Sequence, residues 1–257
     1  MITSAANQQL KNLTKLFQKP KARREQGVFV VEGEKMFQEA PEELLERTYI
    51  SETYYNRKKL HTDFDKFPYE IVEDGVFCAV SDTVTPQGIM CVVRQPRHCL
   101  EDWLGVDNPC FLLLEDIQDP GNLGTLVRTA EGAGVTAVIM SRGCVDIFNP
   151  KTIRSTMGSV YRVPFLYAES LGCVVDALKA RGVEVYAAHL MESVDYDKVS
   201  YRGGCAFLIG NEGNGLSDEL SRQATRCIKI PMQGQVESLN AGVAGSILMY
   251  EAYRQRR

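Results

Sequence analysis

The chain has 257 residues, with 29 basic and 33 acidic side chains, a formal net charge of −4 and 44% hydrophobic residues. That length holds one large or two ordinary domains, the composition is that of a globular chain, and the negative total excludes gripping a polyanion by bulk charge. No apolar run reaches the roughly 18 residues of a membrane span, and the first ten residues lack a charged-then-apolar leader pattern, so a cytoplasmic chain with no membrane association is expected.

In chain order, Leu10, Leu13, Leu16 and Phe17 recur at helical spacing over residues 4–17, which predicts an amphipathic helix showing Lys11 and Lys15 to solvent. Residues 11–24 carry six basic side chains (Lys11, Lys15, Lys19, Lys21, Arg23 and Arg24) and no acidic one, either a local positive patch or a solvated helical face. Strands over 28–31, 47–50, 69–72 and 89–93 alternate with helices over 34–39, 54–60 and 74–80. Such alternation predicts a small three-layer α/β domain over residues 1–94. Pro96, Gly105 and Pro109 break both periodicities across a linker, residues 95–108, on which Trp103 and Leu104 are expected to dock against one domain.

The second domain, residues 109–257, opens on a buried strand over 110–115. A helix over 123–133 follows, stopped by Gly134, then a strand over 135–140, a polar helical excursion over 147–157 and a strand over 160–166. Next come a helix over 170–181 closed by Gly182 and a strand over 183–189. Two short apolar runs, 205–209 and 227–230, then give way at once to Gly, Pro or Asn, as buried parallel strands do where they hand over to functional loops. Loops at strand carboxyl ends hold the ligands of open α/β sheets, so residues 210–215 and 231–240 are the first candidates for a site. The last helix, 239–253, holds Ala241, Gly242, Ala244, Gly245 and Ser246 in its first half. Glycine costs about 1 kcal/mol against alanine inside a helix, so these small residues imply close packing, either within the fold or across a dimer interface.

Gly210-Asn211-Glu212-Gly213-Asn214-Gly215 is neither a P-loop nor a dinucleotide fingerprint, because no Lys-Ser/Thr follows and the glycines miss the G-x-G-x-x-G spacing. A tight turn and a nucleoside-binding loop both remain. The eight cysteines form no C-x-x-C pair and are expected to be reduced core residues rather than disulfides or zinc ligands. With no His/Cys cluster beside the loops, no metal is expected at the site.

Residues 119–130, DPGNLGTLVRTA, with Asn122 and Arg128, the Gly210-Asn211-Glu212-Gly213 loop, and Ile230-Pro231-Met232 with Ser238-Leu239-Asn240 occur in one order. Together they resemble the three motifs of the SpoU (TrmH-type) RNA 2′-O-ribose methyltransferases. Asn7, Lys11, Arg23, Arg24 and the Phe29-Val30-Val31-Glu32-Gly33 run resemble that family's small substrate-binding domain. The resemblance implies an α/β protein with a C-terminal trefoil-knotted parallel-sheet (SPOUT) methyltransferase domain and a small N-terminal L30e-like RNA-binding domain. It implies S-adenosyl-L-methionine as cofactor, held around Ile209, Gly210, Ile230, Met232 and Leu239, structured rRNA or tRNA as substrate, and a homodimer.

For catalysis it points to Arg128, Asn122, Glu212, Ser238 and Asn240. A guanidinium is a poor general base, so Arg128 is expected to bind the neighbouring phosphate and stabilise the developing alkoxide, with Glu212, Ser238 and Asn240 orienting Arg128 and the ribose by hydrogen bonds. An ordinary ion pair with Glu131 or Glu115 is its plain alternative. Lys11, Lys21, Arg23 and Arg24 are the RNA-binding candidates. One departure is Ala241-Gly242, where the family shows Val and then a small residue, which bears on helix packing more than on chemistry. A non-catalytic RNA-binding protein of the same fold and a nucleotide-dependent oxidoreductase are the rival readings.

Overall fold

The computed structural model describes residues 1–59, 64–190, 192–235 and 238–257. The predicted end of the third helix at Leu60 lies outside the described residues. The first elements are α1 (Gln8–Gln18), α2 (Pro20–Gln26), β1 (Val28–Glu32), α3 (Glu34–Glu39), β2 (Leu45–Ser51), α4 (Glu52–Lys58), β3 (Tyr69–Val72), α5 (Asp74–Val80) and β4 (Ile89–Arg94). There follow β5 (Cys110–Leu114), α6 (Pro120–Gly132), β6 (Ala137–Ser141), α7 (Pro150–Thr156), β7 (Phe165–Ala168), α8 (Leu171–Lys179), β8 (Glu184–Ala188), β9 (Val194–Asp195), β10 (Cys205–Ile209), α9 (Asp218–Gln223), β11 (Arg226–Lys229) and α10 (Ala241–Arg256). None of these helices is long and apolar enough to cross a membrane.

The chain divides into two compact units, Met1–Pro96 with Phe148–Tyr161, and Arg97–Ile147 with Arg162–Arg257. The excursion around α7, assigned from sequence to the second domain, clusters with the first, where Phe148 packs against Phe29 of β1 with ring centroids 4.5 Å apart and the rings tilted by 32°. Residues 97–108 cluster with the second unit, and Trp103 is buried in its core.

The first unit is a four-stranded sheet in the order β1-β4-β2-β3, with only the β2–β3 pair parallel. Leu10, Leu13, Leu16 and Phe17 of α1 lie on Val28, Val30, Tyr49 and Val92 of the sheet, so the predicted helical stripe is the one that is buried. Asn7 caps α1 by accepting from Gln9 N at 2.8 Å. Arg23 departs from the sequence expectation. Its side chain is only 2% exposed and its guanidinium donates to the carbonyls of Leu16 (2.6 Å) and Phe17 (2.9 Å). Those carbonyls end α1 and have no helical N–H to accept from, so Arg23 satisfies a helix terminus and is not available to RNA phosphate. Lys11, Lys15, Lys19, Lys21 and Arg24 are exposed, and Lys21 faces Glu25 at 3.7 Å.

The second unit is a seven-stranded sheet, β7-β6-β5-β10-β8-β11-β9, in which each described pair is parallel. β5 and β10 are buried throughout, as strands covered on both faces must be. The strand expected over 160–166 begins only at Phe165, because Pro164 has no N–H to give a ladder; its carbonyl instead accepts from Val138 N at 2.9 Å. The edge strand β9, too short for a periodicity to show, was not foreseen. Half of the cysteines are buried, Cys91, Cys110, Cys144 and Cys205, while Cys78, Cys99 and Cys173 are exposed, so the expectation of core residues holds only for the first group.

Helix α10 lies on α6 and β10. A Cβ on Gly245 would overlap Leu126 Cδ2, and one on Gly242 would sit 3.3 Å from Asn122 Oδ1. The small-residue stripe therefore serves close approach of two helices within the chain. At its far end Arg256 donates to the carbonyls of Asn108 (2.9 Å), Pro109 (3.1 Å), Tyr201 (2.7 Å) and Gly203, at the amino edge of the sheet.

Replacing Arg23 by Met should lower unfolding free energy in urea by about 1–3 kcal/mol, the cost of leaving buried acceptors unpaired. Arg24→Gln should stay within about 0.5 kcal/mol of wild type, as surface changes do. Equal effects of the two would contradict the helix-end role of Arg23.

Candidate functional site

Parallel register brings the carboxyl ends of four strands to one edge of the second unit. Ile209 stands opposite Leu114, Leu208 opposite Ala187, and Ile228 opposite Ala188. The loops that leave these strands begin at Glu115, Gly210, His189 and Ile230. Between the last three and the start of α10 is a cavity of about 550 Å³, within the range of small-molecule sites. Ile209, Gly210, Ile230, Met232 and Leu239, the five residues expected to hold a cofactor, all line it. Glu212 and Ser238 are on its wall as well.

Gly210 is there for space. A Cβ at that position would overlap the backbone of Gly215 and Leu216, so the turn from Gly210 to Leu216 closes only on a glycine. Asn211 fixes the same turn, with its Oδ1 accepting from Gly213 N (2.8 Å) and Asn214 N (3.1 Å) while its amide donates to the carbonyl of Asp116 (2.7 Å). Glu115 accepts from Ser217 N at 2.7 Å, which joins the loop after β5 to the loop after β10 a second time, besides the bonds that Glu212 makes.

Next to the cavity a chain of side chains ties three loops together. Asp119 caps α6 by accepting from Asn122 N at 2.8 Å, and Pro120 fills the first helical position, where a missing N–H costs nothing. The helix therefore starts at Pro120, three residues before the sequence expectation, and Asn122 lies in its first turn. Asn122 Nδ2 donates to Glu212 Oε1 at 2.9 Å, while Asn122 Oδ1 accepts from Asn240 Nδ2 at 2.9 Å. Asn240 in turn caps α10, with its Oδ1 accepting from Val243 N at 3.2 Å. Glu212 also accepts from the backbone N–H of Gln118 (3.1 Å) and of Asp119 (3.2 Å). Burial pushes the Glu212 carboxyl up, but the Asn122 amide and the backbone N–H groups, Gln118 and Asp119 among them, together outweigh it and hold it below the usual glutamate range.

Three of the five expected catalytic residues, Asn122, Glu212 and Asn240, are thus in one hydrogen-bonded chain. Ser238 is exposed on the cavity wall. Arg128 stands apart, exposed on α6 six residues beyond Asn122, about 9 Å along the axis at 1.5 Å per residue. No hydrogen bond or ion pair joins it to another described residue. Its plain alternatives are taken, since Glu131 pairs with Arg162 and Glu115 accepts from Ser217. The expectation that Glu212, Ser238 and Asn240 orient Arg128 is not met within one chain, because the first and last of these are spent on each other through Asn122.

Ala188, His189 and Leu190, which also line the cavity, were missed. The rule that singled out residues 210–215 applies equally to the end of β8, where an apolar run meets its first polar residue at His189. Among the described residues no group of three or more His, Cys, Asp or Glu is placed to hold a metal ion.

The description "SpoU rRNA Methylase family" matches residues 109–250. The chain belongs to the SpoU rRNA methylase family. Residues 7–91 of this SpoU chain match an MRM3-like substrate binding domain. The chain is 36% identical over 251 residues, 97% of each chain, to the 23S rRNA (guanosine(2553)-2′-O)-methyltransferase RlmP of Bacillus subtilis. It superimposes on the AdoMet-bound rRNA methyltransferase of Sinorhizobium meliloti with a TM-score of 0.87 at 31% identity, covering 98% of this chain and 97% of the other. The AdoMet complex of the SpoU methyltransferase AviRb from Streptomyces viridochromogenes gives 0.86 at 25% identity, covering 97% and 98%. The fold class expected from the sequence, a SPOUT methyltransferase domain with a small N-terminal α/β domain, is therefore shown.

The low-lying Glu212 carboxyl gives the site a pH signature. A group whose pKa falls on folding stabilises the fold above its unfolded value, and that contribution is lost as pH falls through the folded value. Thermal melting of Glu212→Gln should therefore lie furthest below wild type at neutral pH. The gap should close below the ordinary glutamate value near 4.5. A gap independent of pH would contradict the charged state of Glu212 in the network.

Proposed function

We propose that this SpoU-family chain transfers a methyl group from S-adenosyl-L-methionine to the 2′-oxygen of a ribose in structured rRNA or tRNA. The Bacillus subtilis relative is named a 23S rRNA 2′-O-methyltransferase, and two structural neighbours are AdoMet complexes. The observation that carries the reading is the coincidence of the cavity with the second and third motif loops, to which the first motif is tied through Asn122. Ile209, Ile230, Met232 and Leu239 offer apolar contact for an adenine, the strand-end backbone offers amide donors and acceptors, and the Gly210 turn leaves backbone where a side chain would otherwise stand. A nucleoside cofactor fits that lining. When bound, S-adenosyl-L-methionine would supply an electrophilic methyl group to the ribose 2′-oxygen, with S-adenosylhomocysteine as the leaving group and the 2′-hydroxyl proton passing to solvent.

The chain's own residues position and stabilise. Glu212 and Asn240, joined by Asn122, hold the loops that wall the cavity in one arrangement, and Ser238 offers a hydroxyl at its mouth. Arg128, exposed and unengaged, is the group we assign to RNA, binding phosphate in the two-pronged manner of a guanidinium and stabilising charge that develops on the 2′-oxygen. Lys11, Lys21 and Arg24 of the first unit are assigned to phosphates along the RNA, and the cytoplasm is the location this reading implies.

A homodimer is part of the proposal. Val243, Tyr250 and Tyr253 of α10 are 46%, 49% and 42% exposed, and Tyr250 Oη reaches over Gly132 of α6, where a Cβ would meet it at 3.0 Å. Thr125, Arg128 and Gly132 share a helical face of α6 at spacings of three and four. The exposed aromatic stripe and the face bearing Arg128 are therefore neighbours, and two copies paired there would have Arg128 at their joint. Light scattering at micromolar concentration should give a dimer, and Tyr250→Glu should shift it toward monomer. A wild-type monomer would refute the pairing.

The activity is tested by incubating the protein with methyl-labelled cofactor and total cellular RNA and mapping the methylated nucleotide. RNA binding without label transfer would favour the non-catalytic reading. Arg128→Ala should reduce the single-turnover rate by about 10²- to 10³-fold, the scale of one preorganised electrostatic donor. Calorimetric affinity for the cofactor should remain near wild type and be insensitive to EDTA. Arg128→Lys should stay impaired if planar geometry matters, whereas a rate within a few-fold of wild type for Arg128→Ala would remove Arg128 from the mechanism.

A further inference from the structure

The first unit carries a groove of its own, of about 520 Å³, that no motif accounts for. Its floor is Val28, Tyr49 and Val92 of the sheet, and its rim is polar. Gln9 and Asn12 stand three apart on α1, along the margin of the buried stripe, and Gln26 reaches in from the end of α2. Asn12 Nδ2 donates to Gln26 Oε1 at 2.9 Å and Gln26 Nε2 donates back to Asn12 Oδ1 at 3.0 Å. An amide has two N–H donors and two lone pairs on its oxygen, so each partner keeps one donor and one acceptor free after this exchange.

The opposite rim is made by an irregularity. Leu45 of β2 pairs with Val93 and Arg47 with Val92, so Glu46 is an extra residue in the ladder. A bulge bends the strand and re-aims its side chains. Here it puts both Glu46 and Arg47 on the groove instead of on opposite faces. A strut between α1 and α2 would need only the Asn12–Gln26 pair, and it would need neither the bulge nor a cavity.

We propose that this groove receives one unpaired base of the RNA, seated on the apolar floor and read along its edge by Asn12, Gln26 and Glu46. This inference rests on the reading of the chain as an RNA-modifying enzyme. The chemistry selects the base. A carboxylate on the rim repels phosphate and accepts from an exocyclic amino group, while amides match the paired donor and acceptor on the N6/N7 edge of adenine. Uracil has no amino group to offer. Lys15, exposed three residues after Asn12, is on the adjoining helical face, where it meets the phosphate next to that base.

The test uses the full chain and labelled single-stranded oligo(A) and oligo(U) of equal length in fluorescence anisotropy. One bidentate base contact is worth about 1–3 kcal/mol, so wild type should prefer oligo(A) by about 5- to 150-fold. The double variant Asn12→Leu with Gln26→Leu removes both amides together and so strands neither partner. It should bind the two oligonucleotides alike, with the salt dependence of binding unchanged because no phosphate contact is lost. Glu46→Gln, on the exposed rim, should reduce the preference on its own and carries the test if the double variant fails to fold. Equal binding of oligo(A) and oligo(U) by wild type, or an undiminished preference in the variants, would overturn the proposal. Methyl transfer to total RNA, measured in parallel, is a separate readout: its absence would count against the methyltransferase reading without altering what the oligonucleotides report.

Discussion

The site depends on one carboxylate. Glu212 accepts from the Asn122 amide and from the backbone N–H groups of Gln118 and Asp119 just before α6, and through Asn122 it is joined to Asn240. Two segments far apart in sequence therefore meet on a single charged acceptor, with a third joined through Asn122, and charge-assisted hydrogen bonds of the first kind are roughly twice as strong as neutral ones. The cavity is walled by two of those segments, so its shape follows from Glu212 before any ligand arrives. A carboxylate with this many donors has little capacity left for proton transfer. What it does in the structure is hold the loop after β10 to the start of α6.

The same network explains where α10 starts. Asn240 leaves the helix its first hydrogen-bond acceptor and spends its amide on Asn122, so the N-terminal turn of α10 and that of α6 are capped within one continuous chain of bonds. Gly242 and Gly245 then let the two helices close on each other. Close approach there offsets the backbone freedom that glycine surrenders in a helix, and it keeps Asn122 and Asn240 within hydrogen-bond distance.

Much of this was legible in the residues. Buried parallel strands announced themselves as short apolar runs, and the loops at their carboxyl ends were the right place to seek a cavity, because sheet topology puts every such loop on one edge. The resemblance grouped Asn122, Glu212 and Asn240 with Ser238 and Arg128 as one catalytic set, and hydrogen bonds join the first three of them. What could not be read is equally specific. Arg23 sits in a basic run and looks like its neighbours, but which member of the run turns inward depends on where α1 ends and where α2 doubles back, a tertiary fact. The stripe of small residues in α10 said that something comes close without saying what. The β-bulge at Glu46 has no sequence signature, and the edge strand β9 is too short for one. The helix expected within residues 147–157 forms over Pro150–Thr156, but the unit it joins is set by long-range packing that periodicity does not encode.

Helix α10 is also a rigid member spanning the depth of its sheet. Its 16 residues make a rod of about 24 Å at 1.5 Å per residue, longer than the five-residue strands it lies across, at about 3.3 Å each. One end is fixed by Asn240 in the network at the carboxyl edge, and the other by Arg256 among the carbonyls of Asn108, Pro109, Tyr201 and Gly203 at the amino edge. A rod held at both ends cannot slide or tilt at one without disturbing the other. The amino edge of the sheet, remote from any chemistry, is in this way mechanically in series with the wall of the cavity.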